Sequence, residues 1–567
     1  MSVPNASTYP RLQPAVHGTL LFLAAFVCLF LFMDRSINVY DEGIVLTASM
    51  LVGAGEFIHR DFYANYGPGE FYLLCWLFDA FGHRIIVERA FDLSVRAGIL
   101  LLVYLTTRRH AGQGIAALVS LVCAGWLALV GNSGYPVYPA LLLAIVSTWG
   151  VVRMLSGETR RQDAFLTGIV AGGVGLFRYD IGAFTCAAHA LTALLVLLLD
   201  RRPLPPLRAL AGPGLRAYVA GFAVPVCAVG ALYAAQGALP GLVHDVIAFP
   251  AAAYAATRSL PFPTLRGVRL LEKASLLSIY LPLLIGAGIL AGGLGQPRLF
   301  VAPAPATPPA RSGRDARAVF VIAFAFLSLL YYGKGVVRVS VEHMQLSLIP
   351  ALLALAAFAG LAGRARAWIR LGVAGLLALA LLSAVAMVAL RTGERQRVVG
   401  DLGWLSGFMH GTPGFVLEKS TADRLAGLPA RPLLLVDADR DAALDYLVRH
   451  LDPRERLFVG VSHHDRIFAN DVSAYFLAQK LPVTRWHHFD PGLQTSRAVQ
   501  GEIVADIERA RPACIWLDST WDQVQEPNAS AVSSGVHLLD DYIGAHYALS
   551  QAFGTTAIWC RKAGART

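Results

Sequence analysis

Two adjacent carboxylates, Asp41 and Glu42, follow directly on an apolar run that is long enough to cross a membrane. A charged side chain at the centre of a bilayer costs about 2.5 to 3.5 kcal/mol on insertion scales, so such residues are candidates for function. A carboxylate whose pKa is tuned by burial and by neighbouring cations can act as a general base toward a hydroxyl group. The pair therefore indicates acid–base chemistry at the membrane boundary.

Other polar residues fall in loops that we place on the same side of the membrane. They are Arg60, Asp61 and Tyr66, then Arg178 and Asp180, then His244, Asp245 and Arg258, and finally Lys334, Arg338 and His343. Arginine and lysine can bind a phosphate group and stabilise the charge of a phosphate leaving group. Simpler interpretations exist, since Arg178 and Asp180 could form a helix-end ion pair. Their joint placement on one face nevertheless favours a site for a lipid phosphate.

Composition places these residues in a polytopic membrane protein. The 567 residues are 56% hydrophobic and only 15% charged, whereas soluble domains carry about 25% charged residues. About eleven apolar segments have the length of a membrane-spanning helix. We predict spans at residues 16–33, 85–106, 114–131, 135–152, 163–177, 181–199, 217–235, 274–294, 318–333, 343–362 and 371–390. The first run lacks a small-residue cleavage site, so we expect a retained anchor.

The distribution of arginine and lysine predicts the orientation. With the amino terminus inside, the cytoplasmic loops are rich in arginine, while the opposite loops carry acidic and basic residues in similar numbers. These inner loops are residues 108–109, 153–161, 201–216, 298–317 and 364–370. The net charge of +10 is thus mostly a topology signal, and we expect no nucleic-acid partner. An odd number of crossings places the carboxyl terminus outside.

The first outer loop, residues 34–84, contains two apolar stretches that are too short to span the membrane. "GIVLTASMLVGAGEF" and "FYLLCWLFDAFG" have the length and pattern of helices that lie along the membrane surface. Gly67, Pro68 and Gly69 separate them. We therefore predict two surface helices between the first two spans.

The composition changes near residue 391 from apolar runs to mixed polar sequence with an ordinary density of charge. This change divides a membrane domain (1–390) from a second domain (391–567). The second domain alternates strand-like and helix-like stretches, which predicts an extracytoplasmic α/β domain with a small sheet. Cys514 and Cys560 stand at the start and end of two predicted strands and could pair if those strands are neighbours. "SHHDRIFAND" and "HHFDPG" are rich in His and Asp, but we expect loops with solvated polar residues there. We assign this domain to acceptor docking or structural support.

The chain resembles the GT-C superfamily of integral-membrane glycosyltransferases, which use polyprenyl-phosphate-linked sugars. That superfamily includes protein O-mannosyltransferases and bacterial lipid A aminoarabinose transferases. The resemblance covers roughly residues 16–390. It rests on a first span leading into "YDEG", on "YANYGPGEFYLL" closing a long outer loop, and on a later outer "R…EH" before a span.

The resemblance implies roles for several residues. An acidic residue of the first outer loop is the catalytic base in that family, which corresponds here to Asp41 or Glu42. Basic residues of later outer loops hold the donor phosphate, and the candidates are Arg258, Lys334 and Arg338, with His343 beside them. Some members hold a divalent metal at the acidic loop, and the sequence leaves that cofactor open.

The resemblance implies transfer of a hexosyl or pentosyl group from a polyprenyl-phosphate donor to a glycan, lipid or protein acceptor. This transfer is expected at the periplasmic face of a bacterial inner membrane. Two alternatives remain open at this point. A lipid-linked sugar transporter or flippase would place polar groups near the midplane, often in repeated halves. An envelope-glycan polymerase would use a lipid-diphosphate-linked oligosaccharide as its donor.

Overall fold

A computed structural model of the protein describes residues 14–130, 133–157, 159–199, 212–296, 315–362, 365–395, 410–411, 414–427 and 430–562. In these ranges the chain is mostly helical, with a small sheet near the carboxyl terminus. The inner-loop residues 201–211 and 298–314 lie outside the described residues.

Fifteen helical segments, numbered here in chain order, make up the amino-terminal part. They are α1 (Pro14–Leu31), α2 (Asp41–Gly53), α3 (Pro68–Phe81), α4 (Ile85–Ala111), α5 (Gln113–Leu129), α6 (Val137–Leu155), α7 (Arg161–Phe177), α8 (Tyr179–Leu199), α9 (Pro213–Ala235), α10 (Leu239–Val243), α11 (Ala255–Arg258), α12 (Leu270–Gly295), α13 (Ala316–Gly335), α14 (Val341–Ala362) and α15 (Ala367–Arg395). Two π-helical turns, His244–Ala248 and Pro250–Tyr254, connect α10 to α11.

The predicted spans are helices in the structure. Among the described residues, nine helices are long and apolar enough to cross a membrane. The predicted spans 16–33, 114–131 and 163–177 correspond to α1, α5 and α7, which have 18, 17 and 17 residues. The protein is therefore a polytopic helical membrane protein, as the composition predicts.

One of the nine apolar helices, Leu239–Arg258, was predicted as an outer loop. The segment contains Pro240 and Pro250, and proline lacks a backbone N–H and clashes with the preceding turn of a helix. The two π turns widen the helix around Pro250, and such turns accommodate an interrupted hydrogen-bond pattern. The segment that the sequence places in an outer loop is thus a continuous helical stretch, which Arg258 ends.

The two short helices of the first loop differ in their surroundings. In α3, Trp76 and Phe81 are exposed while Phe71 and Leu74 are buried, as expected for a helix on a membrane surface. In contrast, α2 is almost entirely buried, because the second domain covers it. A Cβ atom at Gly43 would lie 2.5 Å from the backbone nitrogen of Ser473, so only glycine permits this close packing.

The carboxyl-terminal part is α/β. Its elements are β1 (Phe415–Val416), α16 (Thr421–Ala426), β2 (Arg431–Pro432), α17 (Ala438–His450), β3 (Val459–Val461), α18 (Ser473–Leu477), α19 (Arg497–Ala510), β4 (Cys514–Asp518), α20 (Leu538–His546), β5 (Tyr547–Phe553) and β6 (Thr556–Arg561). The main sheet has the order β3-β4-β6-β5, with β3 and β4 parallel and the other neighbours antiparallel. Strand β5, which forms a hairpin with β6, was not predicted from the sequence.

Cys514 and Cys560 form a disulfide across the adjacent strands β4 and β6. Closing a loop of 46 residues should stabilise the folded domain by about 2 to 4 kcal/mol. We therefore expect Cys514→Ala to lower the thermal unfolding midpoint of the second domain. A reductant should lower the midpoint of the wild type but leave that of Cys514→Ala unchanged. Cys28→Ala, which removes a free and exposed thiol, is the control. Equal midpoints for wild type and Cys514→Ala under oxidising conditions would contradict this prediction.

Candidate functional site

A cavity of about 750 Å³ lies between the first loop, the ends of several long helices and the second domain. Helices far apart in sequence end at this cavity, so their terminal polar residues converge there. Nine of the residues singled out from the sequence line it, namely Asp41, Tyr66, Arg178, Asp180, Asp245, Arg258, Lys334, Arg338 and His343. Glu42, Arg60, Asp61 and His244 lie outside it.

Asp41 is the first residue of α2 and lies in the wall of the cavity. Its backbone N–H donates to the side chain of Asn38 over 2.9 Å, which fixes the start of the helix. The Tyr66 hydroxyl approaches its Oδ1 atom at 3.4 Å. Burial raises the pKa of Asp41 above its ordinary value, although Arg258 and the Tyr66 hydroxyl lower it. A carboxylate in this setting is well suited to accept a proton.

Glu42 has a different environment, although it is the next residue. Its side chain is fully buried and forms two hydrogen bonds with the Arg89 guanidinium, of 2.6 and 2.8 Å. Arg89 also donates to the carbonyl oxygens of Asp34 and Ser36. Glu42 therefore fixes the connection between α1 and α2, and its carboxylate does not face the cavity.

Arg178 and Lys334 share one carboxylate, that of Asp180. Arg178 binds both oxygens of Asp180 at 3.0 and 2.9 Å, and the Lys334 amine lies 3.6 Å from Oδ2. The Arg178 guanidinium also lies over the ring of Tyr66 at 4.8 Å. Two cations thus share the carboxylate of Asp180 in the wall of the cavity that also holds Asp41.

The other two cations, Arg258 and Arg338, are paired with carboxylates of the second domain. Arg258 binds Asp490 at 2.9 Å, and Arg338 binds both oxygens of Glu526 at 2.8 and 2.6 Å. His343 also lines the cavity, and its Nδ1 atom is hydrogen-bonded to the Ser340 hydroxyl over 2.8 Å. These pairs are not predictable from the sequence, because the partners are far apart in the chain.

Asp245 lies in the cavity wall, but two histidines hold its carboxylate. The buried His59 ring lies 2.8 Å from Oδ2, and the partly exposed His244 ring lies 3.0 Å from Oδ1. His59 has a φ of 64°, a left-handed conformation that is uncommon for this residue type. Its other ring nitrogen contacts the Tyr179 hydroxyl at 3.2 Å. Asp245 therefore connects the first loop to the wall of the cavity.

Arg60 and Asp61 are not part of the cavity. They form an exposed ion pair with each other, and Arg60 also donates to Gln236. Asp61 accepts a hydrogen bond from the Phe57 backbone, which indicates that the pair fixes a surface turn.

None of the site residues predicted from the sequence belongs to the second domain. Phe468, Ala469, Asp490 and Trp521 nevertheless line the cavity. Asp490 belongs to "HHFDPG", which we expected to be solvated, yet His487 and His488 are fully buried. That expectation is wrong for this loop, because it packs against the first loop, with the His488 ring 4.7 Å from that of Tyr63. The concentration of His and Asp in "HHFDPG" was the feature of the sequence that could have indicated a role for this loop in the site.

The described residues around Asp41 do not bring three metal-ligand atoms together. The one such group among the described residues is Asp465, His537 and Asp540, which lies in the second domain. The residues at Asp41 therefore do not fit a resident divalent metal in this arrangement.

No protein-family model matches the sequence, and a search of curated proteins finds no match. Solved structures are similar in fold. The structure of ArnT from Cupriavidus metallidurans bound to undecaprenyl phosphate superposes with a TM-score of 0.53 at 14% identity, covering 97% of this chain and 99% of ArnT. The apo state of the same protein gives 0.49 at 14% identity, over 96% and 98% of the two chains.

An Archaeoglobus fulgidus oligosaccharyltransferase tethered to an acceptor peptide gives a lower TM-score of 0.39 at 12% identity. This match covers 89% of this chain and 69% of the archaeal protein. The likeness to undecaprenyl-phosphate-bound ArnT extends over nearly all of both chains, including the carboxyl-terminal part. The chain therefore has the GT-C fold that the sequence resemblance predicts.

Proposed function

We propose that the protein transfers a sugar from a polyprenyl-monophosphate donor to a glycan, lipid or protein acceptor of the cell envelope. One observation carries this proposal. A carboxylate with a raised pKa, Asp41, lies in the same cavity as four cations that come from other parts of the chain. This combination provides a base for an acceptor hydroxyl and positive charge for a phosphate leaving group.

The proposed reaction is a single displacement. Asp41 accepts the proton of the acceptor hydroxyl, and the oxygen attacks the anomeric carbon from the face opposite the phosphate. The bond between that carbon and the phosphate oxygen breaks, and its electron pair stays on the phosphate. One displacement inverts the configuration at the anomeric carbon.

Arg258 and Lys334 are the cations that we assign to the leaving phosphate. Arginine and lysine form charge-assisted hydrogen bonds to phosphate, which are roughly twice as strong as neutral ones. Lys334 shares Asp180 with Arg178, so a phosphate group would meet two cations compensated by one carboxylate. Arg338 has both terminal nitrogens on Glu526, and we assign it a supporting role with His343.

The donor class rests on the fold likeness and on the membrane setting. The ArnT structure with this fold is bound to undecaprenyl phosphate, which is a polyprenyl monophosphate. A lipid of this kind has its phosphate at the membrane boundary, which is the depth that we propose for Asp41. Membrane lipids are thus further partners.

We propose that residues 1–390 form the catalytic membrane domain and residues 391–567 a periplasmic domain, in a bacterial inner membrane. The arginine-rich inner loops support this orientation. The disulfide between Cys514 and Cys560 supports it independently, because disulfides persist in oxidising compartments such as the periplasm.

Transfer should depend on pH through Asp41. The carboxylate must be deprotonated to accept a proton, so kcat/KM should fall as the pH drops through its pKa. Because burial raises that pKa, the midpoint should lie above the ordinary value of about 3.9. Tyr66→Phe removes a hydrogen bond that lowers the pKa, so its midpoint should lie higher still. A midpoint that Tyr66→Phe leaves unchanged or lowers would exclude Asp41 as the titrating group.

The donor class can be tested with purified protein, lipid-linked sugars extracted from the host, and membranes of a deletion strain as acceptor. Mass spectrometry should detect the gain of a single sugar on one envelope component. Undecaprenyl monophosphate, the proposed product, should inhibit this gain, whereas undecaprenyl diphosphate should inhibit weakly. Strong inhibition by the diphosphate alone would favour a polymerase, and redistribution of the lipid without transfer would favour a transporter.

A further inference from the structure

A loop of the second domain contributes Asp490 to the wall of the cavity. We propose that Asp490 is a positioning residue that holds Arg258 for the donor phosphate, so that the second domain completes the phosphate subsite. This inference rests on the proposed function, and it gives the second domain a role beyond acceptor docking or support.

The contacts of Asp490 connect three distant parts of the chain. Its Oδ1 atom accepts a hydrogen bond of 2.9 Å from Nη2 of Arg258. Its Oδ2 atom accepts one of 3.0 Å from the Tyr63 hydroxyl, and the Tyr40 hydroxyl approaches Oδ1 at 3.2 Å. The side chains of Arg258 and Asp490 are each 9% exposed. Both Asp490 oxygens are thus engaged in a largely desolvated setting.

Two buried amide side chains fix the backbone that carries Asp490. Gln494 accepts from the Asp490 backbone N–H over 2.8 Å and donates to the His488 carbonyl over 3.0 Å. Asn470 accepts from the Phe489 backbone N–H and donates to the His487 carbonyl, each over 3.0 Å. These four hydrogen bonds hold the backbone on either side of Asp490, so its carboxylate has a fixed position.

Arg258 needs such an anchor because of its place in the chain. It is the last residue of a helical stretch that contains two π turns, and its side chain has several rotatable bonds. The hydrogen bonds to Asp490 and Tyr40 both involve Nη2. A guanidinium carries further donors on its other two nitrogens, so an arginine held at one nitrogen can still bind a phosphate.

The pair of Arg338 and Glu526 makes a useful contrast. There the carboxylate engages both terminal nitrogens of the arginine, and Glu526 is not part of the cavity wall. Asp490 lies in the wall itself and binds a single nitrogen of Arg258. The geometry at Asp490 is therefore the one that orients an arginine while leaving donors for a ligand.

The test compares Asp490→Ala and Asp490→Asn with Glu56→Gln in the purified full-length protein. Glu56 pairs with Arg456 at 2.8 Å, which is another contact between the first loop and the second domain, but neither residue lines the cavity. The probe is undecaprenyl phosphate, measured by its dissociation constant, together with KM for the donor and kcat. Thermal unfolding checks that each variant is folded.

We expect Asp490→Ala to raise the dissociation constant and KM by about tenfold, which corresponds to the loss of one well-placed charged contact, with a smaller change in kcat. Asp490→Asn keeps an oxygen acceptor for Arg258 and should retain part of the affinity, and it carries the test if Asp490→Ala does not fold. Glu56→Gln should bind the lipid as the wild type does.

Three results would overturn the inference. Tighter binding by the Asp490 variants would show that the carboxylate competes with phosphate for Arg258. Unchanged binding would show that Asp490 does not act on the subsite. An equal loss in Glu56→Gln would assign the effect to general docking of the domains. A wild type that does not bind undecaprenyl phosphate would instead refute the proposed function.

Discussion

Asp41→Asn should lower sugar transfer by about 10²- to 10⁴-fold, the range that removal of a general base typically produces. Asparagine has the same shape as aspartate but cannot accept the proton of an acceptor hydroxyl at neutral pH. The hydrogen bond from the Asp41 backbone N–H to the Asn38 side chain does not involve the Asp41 carboxylate, so the start of α2 should persist in Asp41→Asn. The measurement is transfer by purified protein, with membrane level and unfolding midpoint recorded for each variant.

Asp61→Asn is the matched control for this prediction. Asp61 is also a carboxylate of the first loop, but it lies outside the cavity and pairs with the exposed Arg60. Transfer by Asp61→Asn should remain close to that of the wild type. Comparable losses in the two variants would show that the loop as a whole, and not the Asp41 carboxylate, supports the reaction.

Arg89→Leu should lower the free energy of unfolding by about 3 to 5 kcal/mol, because it leaves the carboxylate of Glu42 buried and uncompensated. Glu42 is fully buried, and Arg89 is the residue that binds both of its oxygens. Arg89 also holds the carbonyl oxygens of Asp34 and Ser36. Its loss should therefore displace the start of α2, and transfer should fall together with stability. Thermal unfolding in detergent measures the first effect.

The double variant Glu42→Leu/Arg89→Leu separates charge from packing. Replacing both members of a buried ion pair by apolar residues is often neutral or stabilising, whereas removing one member is costly. We expect the double variant to be more stable than Arg89→Leu. If the two are equally unstable, the contribution of Arg89 lies in its bonds to the backbone of residues 34 and 36.

The sequence predicts the spans and the convergence of polar loops well, because both follow from local patterns. Apolar length identifies a helix such as Val341–Ala362, and the polar residues between such helices meet at one cavity. Lys334 and Asp180 could be placed near one another on this basis. Their ion pair follows from the packing of α8 against α13, which local patterns do not determine.

The sequence could not distinguish Asp41 from Glu42. Successive residues of a helix point about 100° apart, so one of the two must face away from the cavity. Which one does so depends on Arg89, whose position is set by the packing of α4 against α1. The pairing of Asp490 with Arg258 was inaccessible for the same reason, since 232 positions separate the two residues.

Two elements of secondary structure, the helical stretch at residues 239–258 and the strand β5, were not predicted from the sequence. Residues 239–258, which the sequence places in an outer loop, form a helical stretch with two π turns, one of which begins at Pro250. Residues 547–553, which form β5, lie directly after the helix α20, and their strand conformation depends on pairing with β6. The seven residues of β5 show only weak alternation of apolar and polar side chains, so the sequence gives little indication of a strand there.

The most direct measurement is a mass-spectrometric profile of envelope glycans and glycolipids in the host. It compares wild type, a deletion strain, and strains that carry Asp41→Asn or Asp61→Asn at matched membrane levels. The account predicts that the deletion and Asp41→Asn lose the same single sugar from the same component, while Asp61→Asn retains it. A profile that Asp41→Asn leaves intact although the deletion changes it would contradict the assignment of Asp41 as the base. No change in the deletion would contradict sugar transfer itself.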